Sequence, residues 1–501
     1  MLDLIRRQFN PQAAEANGWQ WSSVSRLCWA IGSISGAMNA EAESCFIQTA
    51  LVSLMDLCKA MKGRPNAASI HADLLYICGQ YPRFLASCPT YLRLVVVQVV
   101  QFFHCKSNPV LQDMALDTFL TIAKHCRAAF HHTDLQTQPQ SVCNELLRVF
   151  GDVLRDLTAQ QVQTLYEAMG HVLRASDEAA IPSQLAQLFA VPNATWQEAM
   201  QALRTPTDWT QASTYIQHVA TIMRLRCRVV RSLGHRYMPQ CQAVFPDIIW
   251  TYTQFSDAIR VAVAATPHAL QNLPAPVRAM RFARREILRF LKELVMRTGD
   301  PPHVQATMLG SILEATVSDY QAAHPLMRDE HLLALMTVVV ERLGPRLDTE
   351  LDLILQSVVR PTLEMLTRNL VDFADHRTHL YFLLQRLVAH CFPRYWRAVT
   401  GDSCFFEALL WGIKHCYRQV SELALATLHN FVLHAGSSPD LFPAFAKTHL
   451  LKLFDEVLIV MTDTLHKTSF ESQVQLLEQL VTLVAAWTDS LQLSEGQPPE
   501  M

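Results

Sequence analysis

The stretch FIQTALVSLMDLCKAM (Phe46–Met61) carries Leu51, Leu54, Met55 and Cys58 at the i, i+3, i+4, i+7 spacing of one helix face. Ile47, Ala50, Leu57 and Met61 widen the apolar arc past that stripe, more than a single packing face needs. A second stretch, PTYLRLVVVQVVQFFHC (Pro89–Cys105), repeats the pattern with Tyr91, Leu94, Val95, Val99 and Phe102, while Leu92, Val96, Val100 and Phe103 point elsewhere. One face of each helix must pack on its own partner. The rest either thickens the core or lines a groove between neighbouring helices, able to take an amphipathic peptide by anchors at the same spacing. Met55 would help such a groove adapt to varied side chains.

Helical spacing continues outward from these two stretches, in Ser69–Phe84, Leu111–Phe130, Val142–Leu157, Met280–Met296 and Leu380–Phe392, and no segment alternates as a strand. Breaks at Lys62–Asn66, Ser87–Pro89, Lys106–Pro109, Thr298–Pro302 and Leu343–Asp348 read as helix ends and turns. Pairing neighbouring helices gives units that begin near Phe46, Pro89, Pro139, Pro182, Arg236, Pro301, Leu347, Ser403 and Pro439, a repeat of roughly 40 to 55 residues. The expected fold is all-α, a curved α-solenoid of HEAT-type antiparallel helix pairs without internal domain boundaries. Residues 1–45 read as a partial N-terminal repeat, 46–130 as the repeats of the groove, 131–493 as further repeats and 494–501 as a disordered tail. Met1–Asn17 shows no convincing partner helix. The ends suggest a piece of a longer array.

Composition narrows the chemistry. The 501 residues are 50% hydrophobic with only 15 glycines, against an average of about 7%, so the turns of sandwiches and phosphate-binding loops are in short supply. Lys and Arg number 42 against 45 Asp and Glu, a net charge of -3 that offers no general attraction for nucleic acid. Thirteen cysteines spread through apolar helices imply reduced thiols, and the N-terminus has no secretory signal, which together suggest a soluble intracellular protein. The run Tyr91–Phe103 is too short and too interrupted to span a bilayer.

Catalytic signatures reduce to near misses. GSISG (Gly32–Gly36) places Ser35 one position late for a nucleophile elbow. No nucleotide loop and no zinc spacing occurs, so neither cofactor nor metal is expected. His131 with His132, and Asp372 with Asp375 and His376, read as solvated helix termini. Arg278, Arg281, Arg284, Arg285 and Arg289 share one side of a helix, a solvated face or a surface for an acidic protein.

LCWAIGSISGAM (Leu27–Met38), GQYPRFL (Gly79–Leu85), QDMALDTFLTIAKHCRAAF (Gln112–Phe130), QQVQTLYEAMG (Gln160–Gly170), HRTHLYFLLQ (His376–Gln385) and WGIKH (Trp411–His415) resemble, in order and spacing, the exportin-1 family of nuclear export receptors. The resemblance implies a non-enzymatic HEAT-repeat receptor that shuttles between nucleus and cytoplasm. Its partners would be proteins bearing leucine-rich export signals, Ran in its GTP form and nuclear pore components. Neither nucleic acid nor membrane would be bound directly. By alignment, Leu51, Leu54, Met55 and Cys58 form one groove wall and Tyr91, Leu94, Val95, Val99 and Phe102 the other, with Leu74, Leu75, Phe84 and Met114 at floor and sides. Cys58 matches the family thiol alkylated by unsaturated lactones. Arg64 keeps one basic residue at the groove mouth, whereas Ala67 and Gln98 stand where lysines are usual, and His71 replaces a small residue and would narrow the cleft. Arg281, Arg284 and Arg285 are candidate Ran contacts. The match begins inside the family's array, without the N-terminal Ran-binding repeats, the acidic loop or the last helix. The rival readings are a non-transporting α-solenoid scaffold and an importin-like receptor for basic signals. Against the second, the walls carry no acidic cluster beyond Asp56 and Asp73.

Overall fold

A computed structural model describes residues 2–10, 19–133, 140–204, 209–265, 270, 272–369, 372–463 and 469–495, with side chains as far as 487. The described residues form helices and turns with no strand, and none of their helices is long and apolar enough to cross a membrane. Their contacts divide the chain into two compact units, 1–245 and 246–501, where the sequence suggested an array without an internal boundary. In a stack of helix pairs each pair touches only its neighbours, so no single core ties the whole chain together.

The first unit contains α1 (Leu2–Gln8), α2 (Trp21–Ser33), α3 (Ala40–Ala60), α4 (Ala67–Gln80), α5 (Pro89–Phe102), α6 (Pro109–His125), α7 (Val142–Arg148), α8 (Ala159–Leu173), α9 (Ala190–Arg204) and α10 (Ser213–Leu233). Of these, α2, α4, α6, α8 and α10 pack in succession as one layer; α3 packs on α4 and α5 on α6 outside it, and α7 lies against the turn Arg127–His131 and the helix Ile181–Leu188. Helix starts are chemically marked. The Asn39 side chain accepts from the Ala42 amide at 2.8 Å, Asn108 caps α6, and Thr158 and Gln161 form a reciprocal capping box on α8. Pro89 and Pro109 occupy first-turn positions, where the missing N–H costs nothing. The layers approach closely where Gly170 of α8 faces α10, since a Cβ there would lie 2.0 Å from Ser232 Oγ. Contrary to the expectation for the N-terminus, α1 has partners: Ile5 and Phe9 are buried as it packs on α2 and α3.

In the helix α11 (Met238–Ala265) the unit boundary falls before Pro246. The second unit continues with α12 (Ala275–Arg297), α13 (Gly310–Ala322), α14 (Glu330–Leu343), α15 (Arg360–Arg368), α16 (Ala374–Gly401), α17 (Cys404–Ile413), α18 (Arg418–Gly436), α19 (Leu451–Thr462) and α20 (Phe470–Glu495). Helices α12, α14, α16, α18 and α20 pack in succession. Three members of the other layer, α13, α15 and α19, are each entered through a π-helical turn, at Gln305–Leu309, Leu355–Val359 and Ala446–Leu450.

Helix pairs thus start at Ala40, Pro89, Val142, Ile181, Met238, Pro301, Thr349, Cys404 and Phe442, close to the starts read from the sequence. The largest difference is the first, where polar residues of α3 preceding Phe46 hide the true beginning. Pro139 and most of the expected tail, residues 496–501, lie outside the described residues.

Candidate functional site

Helices α3 and α5 carry the two wide apolar arcs, and α4 lies beneath. Leu51, Leu54, Met55 and Cys58 of α3 are buried, as are Val95, Val99 and Phe102 of α5, Leu74 and Leu75 of α4, and Phe84 in the short helix Pro82–Ser87. Tyr91, Gln98 and Met114 are half-buried, Arg64 is exposed in the turn after α3, and Leu94 is 49% exposed. His71 of α4 stands between the walls. Its Nε2 lies 3.4 Å from the Cys58 carbonyl oxygen of α3, and its ring is 4.8 Å from the Phe102 ring of α5. Burial lowers the His71 pKa and the carbonyl contact opposes this, so the ring is neutral at pH 7. The imidazole thus bridges from the backbone of α3 to an aromatic ring of α5.

Cys58 points inward. Its Sγ donates to the Ile70 carbonyl of α4 at 3.7 Å, and burial, with the nearby Cys78 and Asp73, pushes the thiol pKa up. Asp73 of α4 accepts from Ser25 Oγ at 2.7 Å, but burial raises its pKa to about 6, with the Ser25 bond opposing. A raised folded-state pKa means that protonation stabilises the fold: the effect is complete below the unfolded value of about 3.9 and is lost as pH rises through 6. An Asp73→Asn variant is therefore expected to exceed the parent by about 1 kcal/mol at pH 7.5, after discounting for partial exposure, and to match it at pH 3.5. Urea midpoints at the two pH values test this.

The basic run on α12 is solvated at Arg278 and Arg289 but turns inward at Arg284. Arg284 is 2% exposed and pairs with Asp319 of α13 at 2.9 Å, while its other amino group donates to the Met327 carbonyl. Burial therefore removes Arg284 from the candidate Ran surface. Arg285 pairs with Asp329 and Glu330, and Arg281 donates to the Leu326 carbonyl. Asp329, Glu330 and His331 hold potential metal-ligand atoms within 4.8 Å of one another. Arg285 and Arg289, the latter 2.8 Å from His331 Nε2, already balance that cluster.

The other near misses also have structural partners. Ser35 Oγ donates to the Gln80 carbonyl, and His131 Nε2 meets the Val172 carbonyl at 2.9 Å. Asp372 accepts from Asn369, and the His376 side chain is buried. One feature went unread: α5 faces α7 across a cavity of about 310 Å³ lined by Val96, Val97, Val100, Val142, Leu146 and Val149. Val96 and Val100 were the signal, a second stripe on α5 aimed at the next helix over.

Residues 240–500 match the family model described as CRM1 C terminal, and residues 15–65 match CRM1 / Exportin repeat 3. Exportin-1 of Schizosaccharomyces pombe is 32% identical over 470 residues, 93% of this chain and 43% of that protein. Exportin-1 of Dictyostelium discoideum is 31% identical over 92% of this chain and 43% of its own length, and that of Drosophila melanogaster 30% over 94% and 44%. The chain spans less than half the length of these curated relatives. A solved chain described as "Importin13 cytosolic state" shares the fold, with a TM-score of 0.64 over 96% of this chain and 51% of that chain at 12% identity. With a family model covering more than half of its residues, the chain belongs to the exportin-1 family.

Proposed function

We propose that the chain is the part of a nuclear export receptor that holds leucine-rich export signals in the seam between α3 and α5. One observation carries the reading: α3 and α5 each bury an apolar stripe at i, i+3, i+4, i+7 spacing, and the His71 ring of α4 touches both helices. A signal peptide would insert its leucines between the two stripes, and His71 would swing out. The walls include Leu51, Leu54, Met55, Cys58, Val95, Val99 and Phe102, with Leu94 at the mouth.

In the intact receptor, binding would be coupled to Ran-GTP, with Arg281 and Arg285 as candidate contacts, and pore components would carry the complex between nucleus and cytoplasm. The chain acts by binding and not by catalysis. Fluorescence anisotropy with a labelled leucine-rich export peptide tests the reading. Saturable binding is expected, at least about 10-fold weaker for a peptide with its spaced leucines changed to alanine and for the exposed-site variant Leu94→Glu. Equal binding of both peptides, or none at either, would overturn it in favour of a non-transporting scaffold.

A further inference from the structure

The stripes of α3 and α5 are apolar and buried. The corresponding space between α15 and α17 is lined differently. Arg360, Glu364 and Thr367 of α15 face Cys404, Glu407 and Trp411 of α17 at helical spacing, around a cavity of about 630 Å³. Its floor is apolar, made by buried Leu363, Ala408 and Leu410.

The lining charges do not cancel. At one end Arg360 pairs with Asp402, and at the other Lys414 pairs with Glu456, so both cations of the wall are already matched. Glu407 turns outward to Lys452. Glu364 is exposed between the two end pairs and is in no salt bridge among the described residues. Arg328 feels its charge without forming a salt bridge with it, its guanidinium donating to the carbonyls of Tyr320 and Pro361. Glu364 also acts on Cys404 across the cleft. Trp411 is half-exposed on the opposite wall, its indole steadied by Tyr381 and His415. A carboxylate outside any salt bridge, an aromatic face and an apolar floor suit a cation on an aliphatic stem.

We propose that the cleft between α15 and α17 receives a lysine or arginine side chain presented by a basic segment of a partner protein. The stem lies on Leu363 and Ala408, and the head reaches Glu364 and the face of Trp411. This site is separate from the proposed export-signal seam and does not depend on it.

The test uses the full chain and a fluorescein-labelled Gly-Ala-Arg-Ala-Arg-Ala-Gly peptide, compared with the same peptide carrying citrulline, the neutral isostere of arginine. Anisotropy is expected to show at least about 10-fold tighter binding of the arginine peptide. Glu364→Gln should weaken it at least about 5-fold, and Trp411→Leu similarly. Glu314→Gln, which removes an exposed carboxylate of α13, should leave it unchanged. Equal affinity for the two peptides would overturn the proposal, as would an arginine preference indifferent to Glu364→Gln. Glu364 is exposed, so its variant folds and keeps the result readable even if Trp411→Leu does not.

Discussion

Arg284→Ala is expected to lower the unfolding free energy by about 3–5 kcal/mol, because it leaves a buried charge unanswered. Asp319 would lose its cation and keep only the Tyr252 hydroxyl, which donates to its Oδ2 at 3.1 Å. Ser256 Oγ, 3.4 Å from Arg284, and the Met327 carbonyl would lose a donor together. The neighbouring Arg281→Ala, removing a half-exposed side chain with a single carbonyl contact, should cost less than about 1 kcal/mol. Combining Arg284→Met with Asp319→Leu should recover most of the loss, since an apolar pair of similar volume avoids burying charge at all. Denaturant unfolding of the four proteins checks the set. A loss for Arg284→Ala no larger than that for Arg281→Ala would show that Asp319 finds water or another partner.

Cys58 is expected to react with an unsaturated lactone on the order of 100-fold more slowly than Cys45, which is exposed at the start of α3. Thiolate is the reactive species. Burial raises the Cys58 pKa, the thiol proton is held on the Ile70 carbonyl, and His71 shuts the approach from between the walls. His71→Ala should narrow the difference to within about 10-fold, because the removed ring opens the seam without touching the thiol's own bond to α4. Mass spectrometry of peptides over a labelling time course gives both rates in one sample. Equal rates in the parent would mean that the seam opens freely in solution.

The helix-pair starts were legible because they are written in local chemistry: Pro89 and Pro301 open first turns, and Asp300 caps the helix that Pro301 begins. The stripes of α3 and α5 were legible for the same reason, since a 3.6-residue period needs no knowledge of the partner. Partners themselves were not. Nothing within the basic run indicates that Arg284 turns inward, because Asp319 sits on another helix, 35 positions away. Charge pattern gives the sign of a side chain and not what answers it. Likewise, periodicity gives no sign that His71 of α4 reaches both α3 and α5.

The three π-helical turns that lead into α13, α15 and α19 each hold one residue more than the α-helical turn they replace. Losing one residue within Gln305–Leu309, Leu355–Val359 or Ala446–Leu450 would convert that turn to ordinary helix. The stripes on either side would keep facing their neighbours. Elsewhere in a helix a single deletion rotates everything beyond it by a full residue's turn of about 100°. These are therefore the places where the length of such a chain can drift by one over evolutionary time, and where an alignment gap inside a helix reports a local change of winding, with the fold intact.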